Sequence, residues 1–355
     1  MFRTDASTAI GSGHVARCAS LAQALAAAGH EVHFVCRALA GDLNHWLEGE
    51  GFRVHKIRGV ADAAMTESMD ADATKKSVPA QRYDWLIVDH YELGVAWERA
   101  TAAVTTRIFV IDDLGRYHDC HLLLDQNYRN PTHAQYASRT PPGCEVLLGP
   151  HFALLRPEFA TQRAASLNRR RASVSRLLVF MGGSDPSNET CKALHGIDRS
   201  AMTNLAVDVV IGSGNPHRQA VANACAAMDR TTLHVQTKQM AQLMSEADCA
   251  IGAAGTATWE RCTLGLPALV TVLADNQSAI ADAVDAAGAQ RLLGGQRDLT
   301  AEHYAQALRA LGAADLARMS QAAASICDGG GVERVAARLT AGLDNSAGIM
   351  SRLNA

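Results

Sequence analysis

The feature that most restricts how this chain can fold is a series of short apolar runs, each ending on polar residues and separated from the next by helix-length segments. Trp85-Leu86-Ile87-Val88-Asp89-His90-Tyr91 and Arg107-Ile108-Phe109-Val110-Ile111-Asp112-Asp113 are the clearest. A strand that is apolar at consecutive positions cannot keep one face in water, so it belongs in a parallel sheet covered by helices on both sides. Residues 2–4, 31–36, 52–57 and 121–127 read as further strands of that sheet. Between the first two, Val15, Ala19, Ala22 and Leu25 recur at helical spacing, and Gly29 reads as the C-terminal cap. Residues 60–82 are polar, with acids at Glu67, Asp70 and Asp72, and read as a solvated surface helix or loop. Residues 127–150 read as a long irregular passage.

The same alternation then restarts, with strands at 176–181, 205–211, 232–236, 249–251, 268–273 and 290–293 and helices between them. A chain of 355 residues, 48% hydrophobic, exceeds one ordinary core. It therefore reads as α/β, two Rossmann-like doubly wound domains facing a cleft. The expected boundaries are 1–160 for the N-terminal domain, 161–175 for a hydrophilic linker carrying Arg169-Arg170-Arg171, 176–330 for the C-terminal domain, and 331–355 for a C-terminal helix and tail. In such architectures the tail can cross back onto the first domain.

A net charge of −3 gives no reason to expect nucleic acid or an anionic membrane as the main partner. The nine cysteines have no Cys-x-x-Cys spacing, and several lie in apolar runs, so they read as buried hydrophobes in a reducing cytosol with no disulfide. No basic-then-apolar leader and no apolar run of membrane-spanning length is visible, and the expectation is a soluble, cytoplasmic protein. Oligomeric state is not legible.

The stretch Ile10-Gly11-Ser12-Gly13-His14-Val15-Ala16-Arg17 puts His14 where a strand hands over to a helix, at the sheet edge where α/β proteins hold ligands. Three readings compete: a mere turn, a dinucleotide fingerprint (Gly11-x-Gly13-x-x-Ala16 with Arg37 for a 2'-phosphate), and a substrate loop with a working histidine. Five residues, 5–9, separate the short strand from the glycine turn, and the second half carries phosphate-type loops of its own. Both facts favour the third reading.

Those loops are Met181-Gly182-Gly183-Ser184-Asp185, Gly252-Ala253-Ala254-Gly255-Thr256-Ala257-Thr258-Trp259-Glu260, and Asp275-Asn276-Gln277. Glycines after a strand let backbone amides approach an oxyanion. Glu260, one turn after Thr256, can accept two ribose hydroxyls, and the amides of Asn276 and Gln277 can read sugar hydroxyls. Each loop alone is as well explained as a turn, but three at one sheet edge describe a nucleotide site. His118, Asp119 and His121 lack a third spaced ligand and read as a polar turn, and no metal is expected.

Taken together, Asp5-Ala6-Ser7, the His14 loop through Cys18, Asp89-His90-Tyr91, Ile111-Asp112-Asp113, Ala153-Leu154-Leu155-Arg156-Pro157-Glu158-Phe159, Met181-Gly182-Gly183-Ser184-Asp185 and Asn276-Gln277 resemble the UDP-2,4-diacetamido-2,4,6-trideoxy-β-L-altropyranose hydrolase family. The resemblance runs in order from Asp5 to about Gly294. It implies the two-domain GT-B fold and removal of UDP, by inverting water attack at C1, on the way to pseudaminic acid. Residues 252–260 also resemble the UDP loop of the lipid II-forming N-acetylglucosaminyltransferase.

The resemblance further implies His14 as general base, with Asp5, Gly13, Arg17, Tyr91, Arg156, Asn276 and Gln277 around the substrate. Gly182, Gly183, Ser184, Gly255, Thr256, Ala257 and Glu260 would surround UDP, with no cofactor and no metal. Asp5 and Asp113 both remain candidates to orient His14. Relatives place several apolar residues before the arginine matching Arg3, so the first strand reads as stunted or cut by the chosen start. The tail beyond Gly294 is longer than in the shortest relatives. Two rivals stand beside this reading: a glycosyltransferase of the same fold, and a nucleotide-sugar binding module without turnover.

Overall fold

A computed structural model describes residues 1–58, 65–128, 136–170 and 173–341. The chain divides into two compact units, Met1–Leu154 joined by the described chain from Gly330 on, and Leu155–Gly329.

The first unit holds a seven-stranded sheet of β1 (Phe2–Thr4), β2 (His33–Arg37), β3 (Arg53–Ile57), β4 (Tyr83–Asp89), β5 (Thr105–Ile111), β6 (Leu122–Asp125) and β7 (Glu145–Leu148). Their order is β3-β2-β1-β4-β5-β6-β7, parallel throughout. The central strands are buried on both faces, which is why β4, β5 and β6 carry consecutive apolar residues. Ile87, Phe109, Ile111, Leu122 and Leu124 enter one hydrophobic cluster, while Leu86, Val88, Ile108, Val110 and Leu123 enter another on the opposite face. At about 1.5–3 kcal/mol for each large side chain fully buried, these two layers supply most of the drive to fold.

Helix α1 (Gly13–Ala27) covers the first face with Val15, Ala19, Ala22 and Leu25. It ends at Gly29, whose φ of 91° suits a residue without Cβ. The same cluster takes Val332, Val335 and Leu339 from the helix Gly331–Thr340, and Trp85 Nε1 donates to Leu339 O. The tail helix is thus a structural part of the N-terminal unit.

The second unit holds β8 (Arg176–Phe180), β9 (Ala206–Ile211), β10 (Thr231–Val235), β11 (Cys249–Ala253), β12 (Ala268–Val272) and β13 (Arg291–Gly295) in the order β10-β9-β8-β11-β12-β13, again all parallel. Two of its helices, Glu189–Arg199 and Ala301–Arg309, cross closely at Gly196, where a Cβ would stand 2.5 Å from Tyr304 Cβ and 2.7 Å from Ala301 O.

The structure departs from the sequence reading in four places. The stretch read as a linker is mostly the helix Pro157–Arg169, an integral part of the second unit: Arg163 donates to Thr263 O and Cys327 O, and Ser166 Oγ to Leu264 O. The basic run is not simply solvated either, since Arg169 pairs with Asp248 at 3.1 Å and Arg170 donates to Ala247 O; Arg171 lies outside the described residues. Residues 127–150 contain β7. Within the polar stretch 60–82, part of which lies outside the described residues, the helix Glu67–Ser77 turns Asp70 inward against Arg3.

All nine cysteines carry free thiols. Among the described residues, no helix is long and apolar enough to cross a membrane.

Candidate functional site

A doubly wound sheet has one place where consecutive connections leave in opposite directions, and there the loops at the carboxyl ends of two adjacent strands part to leave a crevice. In the N-terminal unit that place lies between β1 and β4, with Thr4 paired to Asp89 at the edge. The chain leaving β1 turns tightly: Ser7 Oγ accepts from the amides of Ala9 and Ile10, Gly11 N donates to Ser7 O, and Gly11 has a φ of 82°. This turn delivers His14 to the first turn of α1, directly above the end of β4.

There, His14 Nδ1 lies 2.6 Å from Asp89 Oδ1. Arg17, one helical turn on, donates Nε to Asp89 Oδ2 and Nη2 to Asp89 Oδ1, each at 2.6 Å. Asp89 is fully buried. Burial alone would raise its carboxyl, but the charge of Arg17, then that of His14, and the hydrogen bonds from both outweigh it and hold Asp89 well below the usual carboxylate range. The ionised Asp89 can only accept, so the proton in the 2.6 Å contact sits on Nδ1, and whenever the ring is neutral its lone pair is on Nε2. Among the described residues Nε2 has no hydrogen-bond partner. Tyr91 stands edge-on to the imidazole with ring centroids 4.6 Å apart. Burial, followed by the charge of Asp113, raises its hydroxyl well above the ordinary phenol range.

Neither candidate orienter of His14 takes that position. Asp5 is buried and spends its carboxylate on Arg3 Nη1 at 2.6 Å, Arg37 Nε at 2.6 Å and His90 Nε2 at 3.1 Å. Both oxygens serve the fold, so Asp5 is not presented to a ligand as the resemblance implied. Arg37, the alternative 2'-phosphate contact, is occupied by the same carboxylate. Asp113 reaches Arg17 Nη1 at 3.8 Å but not His14. Arg17 is itself buried against two carboxylates. Asp89 was in view in the sequence as the end of an apolar strand; its role depends on β4 lying beside β1, which the usual order of a doubly wound sheet signals.

His118 belongs to no turn of ligands. It is buried with Nδ1 2.6 Å from Glu98 and Nε2 3.5 Å from Asp112, an ion contact too long for a full hydrogen bond. Burial opposes its charge, but the two buried carboxylates prevail and push it up to about 9. His121 Nδ1 accepts from Ile108 N. Among the described residues no group of three or more His, Cys, Asp or Glu side chains is placed to hold a metal ion.

In the C-terminal unit the corresponding crevice lies between β8 and β11. The loop after β8 exposes Gly183 and Ser184, and a Cβ at Gly182 or Gly183 would meet nothing within 4 Å, so the backbone there is open to a ligand. Asp185 faces inward and caps the helix Glu189–Arg199 through the amides of Glu189 and Thr190, each at 2.9 Å. After β11, Gly255 and Thr256 precede the short helix Ala257–Thr263. Gln277, after β12, accepts from Leu273 N, and its Nε2 would lie 3.7 Å from a Cβ at Gly255. Asn276 beside it is exposed.

Glu260 is 17% exposed, with Arg156 Nη2 3.9 Å from its Oε1, and burial pushes its carboxyl up against the opposing charge of Arg156. Thus Gly182, Gly183 and Ser184, then Gly255, Thr256, Ala257 and Glu260, then Asn276 and Gln277, follow three adjacent strands, with Arg156 beside Glu260.

Residues 177–336 match the Glycosyltransferase family 28 C-terminal domain. Over 249 residues the chain is 25% identical to the UDP-2,4-diacetamido-2,4,6-trideoxy-beta-L-altropyranose hydrolase of Campylobacter jejuni, covering 70% of this chain and 82% of that protein. Among solved structures, MurG of Acinetobacter baumannii superposes with a TM-score of 0.62 at 17% identity, over 93% of this chain and 96% of that one. Arabidopsis thaliana UGT89C1 complexed with UDP gives 0.65 at 11% identity, over 92% and 97%. The fold is of the GT-B type.

Proposed function

We propose that this chain acts on a UDP-sugar and hydrolyses it, cleaving UDP from a 2,4-diacetamido-2,4,6-trideoxyhexose with water as the nucleophile. The observation that carries this reading is the His14–Asp89 pair. An ionised, fully buried carboxylate fixes the imidazole with Nδ1 protonated and Nε2 unpartnered, the arrangement of a general base. The relative from Campylobacter jejuni, named for the same reaction, supports the choice of substrate.

In this mechanism Nε2 takes a proton from water as its oxygen attacks C1. The bond from C1 to the diphosphate oxygen breaks, its electron pair leaves with UDP, and the anomeric configuration inverts. The proton on Nε2 then passes to solvent. Backbone amides of the loops at Gly182 to Ser184 and Gly255 to Ala257 are assigned to the diphosphate, where preorganised dipoles stabilise the leaving charge. Glu260 is assigned to the ribose hydroxyls, and Tyr91, Asn276, Gln277 and Arg156 to the sugar side.

The match to a glycosyltransferase domain favours one second reading, in which an acceptor hydroxyl replaces water at the same base. Incubating purified protein with a panel of UDP-diacetamido sugars in heavy-oxygen water tests both. The proposal expects UDP release without an added acceptor, label on C1 of the sugar and none in UDP. Release that needs an acceptor would favour transfer, and label in UDP or formation of UMP would refute attack at C1.

A further inference from the structure

Five side chains gather at the β1–β4 crevice: His14 meets Asp89, Asp89 meets Arg17, Arg17 meets Asp113, and the Tyr91 ring stands edge-on to His14. Their contacts come from three elements, namely α1, the end of β4 with the loop after it, and the end of β5. Cys18, also on α1, lies against the pair as well, with its thiol 3.6 Å from Asp89 Oδ2.

A lone buried carboxylate beside an imidazole would favour the imidazolium, which cannot act as a base. Arg17 changes that balance. Its two donors engage both oxygens of Asp89 at 2.6 Å, and Nη2 stands only 3.2 Å from His14 Nδ1. Because Nδ1 already carries the proton shared with Asp89, that approach is no hydrogen bond. It sets a fixed positive charge against the ring, where a second one would be repelled.

We infer that Arg17 is a positioning residue that keeps His14 neutral and Asp89 aligned, and does not contact the substrate. Its catalytic consequence rests on the reading of His14 as a base, but its effect on the imidazole does not.

The test is an NMR titration of His14 in the full-length protein, for wild type, Arg17→Gln, Asp89→Asn and the double variant. Removing Arg17 should raise the His14 midpoint by at least about one pH unit, and removing Asp89 should lower it by a similar amount. The double variant should return toward wild type. It also removes both members of a buried pair, which a fold tolerates better than losing one. If Arg17→Gln alone does not fold, the upward shift from Asp89→Asn to the double variant carries the same measurement.

Arg17→Lys, which keeps the charge without the fork, should leave the midpoint within about half a unit of wild type. With substrate, the acid limb of kcat/KM should follow the NMR midpoints in direction and size. A midpoint unmoved by loss of Arg17 in either background overturns the inference, whether or not UDP is released. Midpoints that shift as stated in a protein that releases no UDP would instead refute the hydrolase reading and leave this one standing.

Discussion

The stability of the N-terminal unit should depend on pH through a residue far from the proposed chemistry. His118 is an imidazolium held between the buried carboxylates of Glu98 and Asp112, and it titrates at about 9 when folded, against an ordinary value of ~6.5. Its folded value is raised, so the stabilisation is fully present below the unfolded value and is lost as pH rises through the folded one. The separation corresponds to about 3 kcal/mol, nearly intact at about pH 6.5 and reduced to a few tenths by about pH 9.

Other groups also titrate across this window. The measurement is therefore a difference: urea unfolding of wild type minus that of His118→Gln, followed by hydrogen exchange resolved to the peptides of β4 to β6, since a two-unit chain need not unfold in one step. The stability difference should shrink by about 3 kcal/mol between about pH 6.5 and 9.5. A flat difference, or a His118 resonance titrating at the ordinary imidazole value, would refute the assignment.

His14→Ala should leave UDP affinity nearly unchanged by calorimetry while lowering turnover by about two to four orders of magnitude; near-normal turnover would remove the base from the mechanism. Glu260→Ala should raise KM more than it lowers kcat, because ribose contacts are made in the ground and transition states alike, and unchanged UDP binding would show that Glu260 is misassigned. Turnover should be the same with and without a chelator, and activity lost in EDTA and restored by magnesium would contradict the assignment of the diphosphate to backbone amides. Gly196→Ala should cost about 1–3 kcal/mol in the C-terminal unit, since neither Tyr304 Cβ nor Ala301 O lies on a flexible chain end, and an unchanged melting temperature would show that the helices can part.

The two sheets were legible because strands buried on both faces leave an unbroken apolar signal, as at Leu86 to Val88 or Ile108 to Ile111. The edge strand β7 was not, since its Glu145 is exposed and only Leu147 is fully buried, so four residues resembled loop. The helix Pro157–Arg169 was lost for a related reason. Only Phe159 and Ser166 in it are buried, and Arg163 is held by carbonyls that lie a hundred residues or more downstream. His14 was legible from its place between strand and helix. Its partner was not, because five aspartates (Asp5, Asp89, Asp112, Asp113 and Asp125) end strands of that sheet or follow them, and only the lateral order of the strands selects Asp89. The inward turn of Asp70 toward Arg3 likewise had no local sign, since a single acid in a polar stretch looks solvated until its cation is found 67 residues away.

The closing of the N-terminal unit by the helix Gly331–Thr340 makes the C-terminal unit, in chain terms, an insertion. On the ribosome, the segment Leu155–Gly329 is complete before the last helix of the other unit has been made. Until then the face of α1 that receives Val332, Val335 and Leu339 stays uncovered, together with the indole Nε1 of Trp85 that pairs with Leu339 O. The N-terminal unit therefore receives its last helix only after the whole C-terminal unit has been made. A chain truncated before Gly331 has the whole C-terminal unit but an N-terminal one with an open apolar face, the kind of surface that chaperones bind.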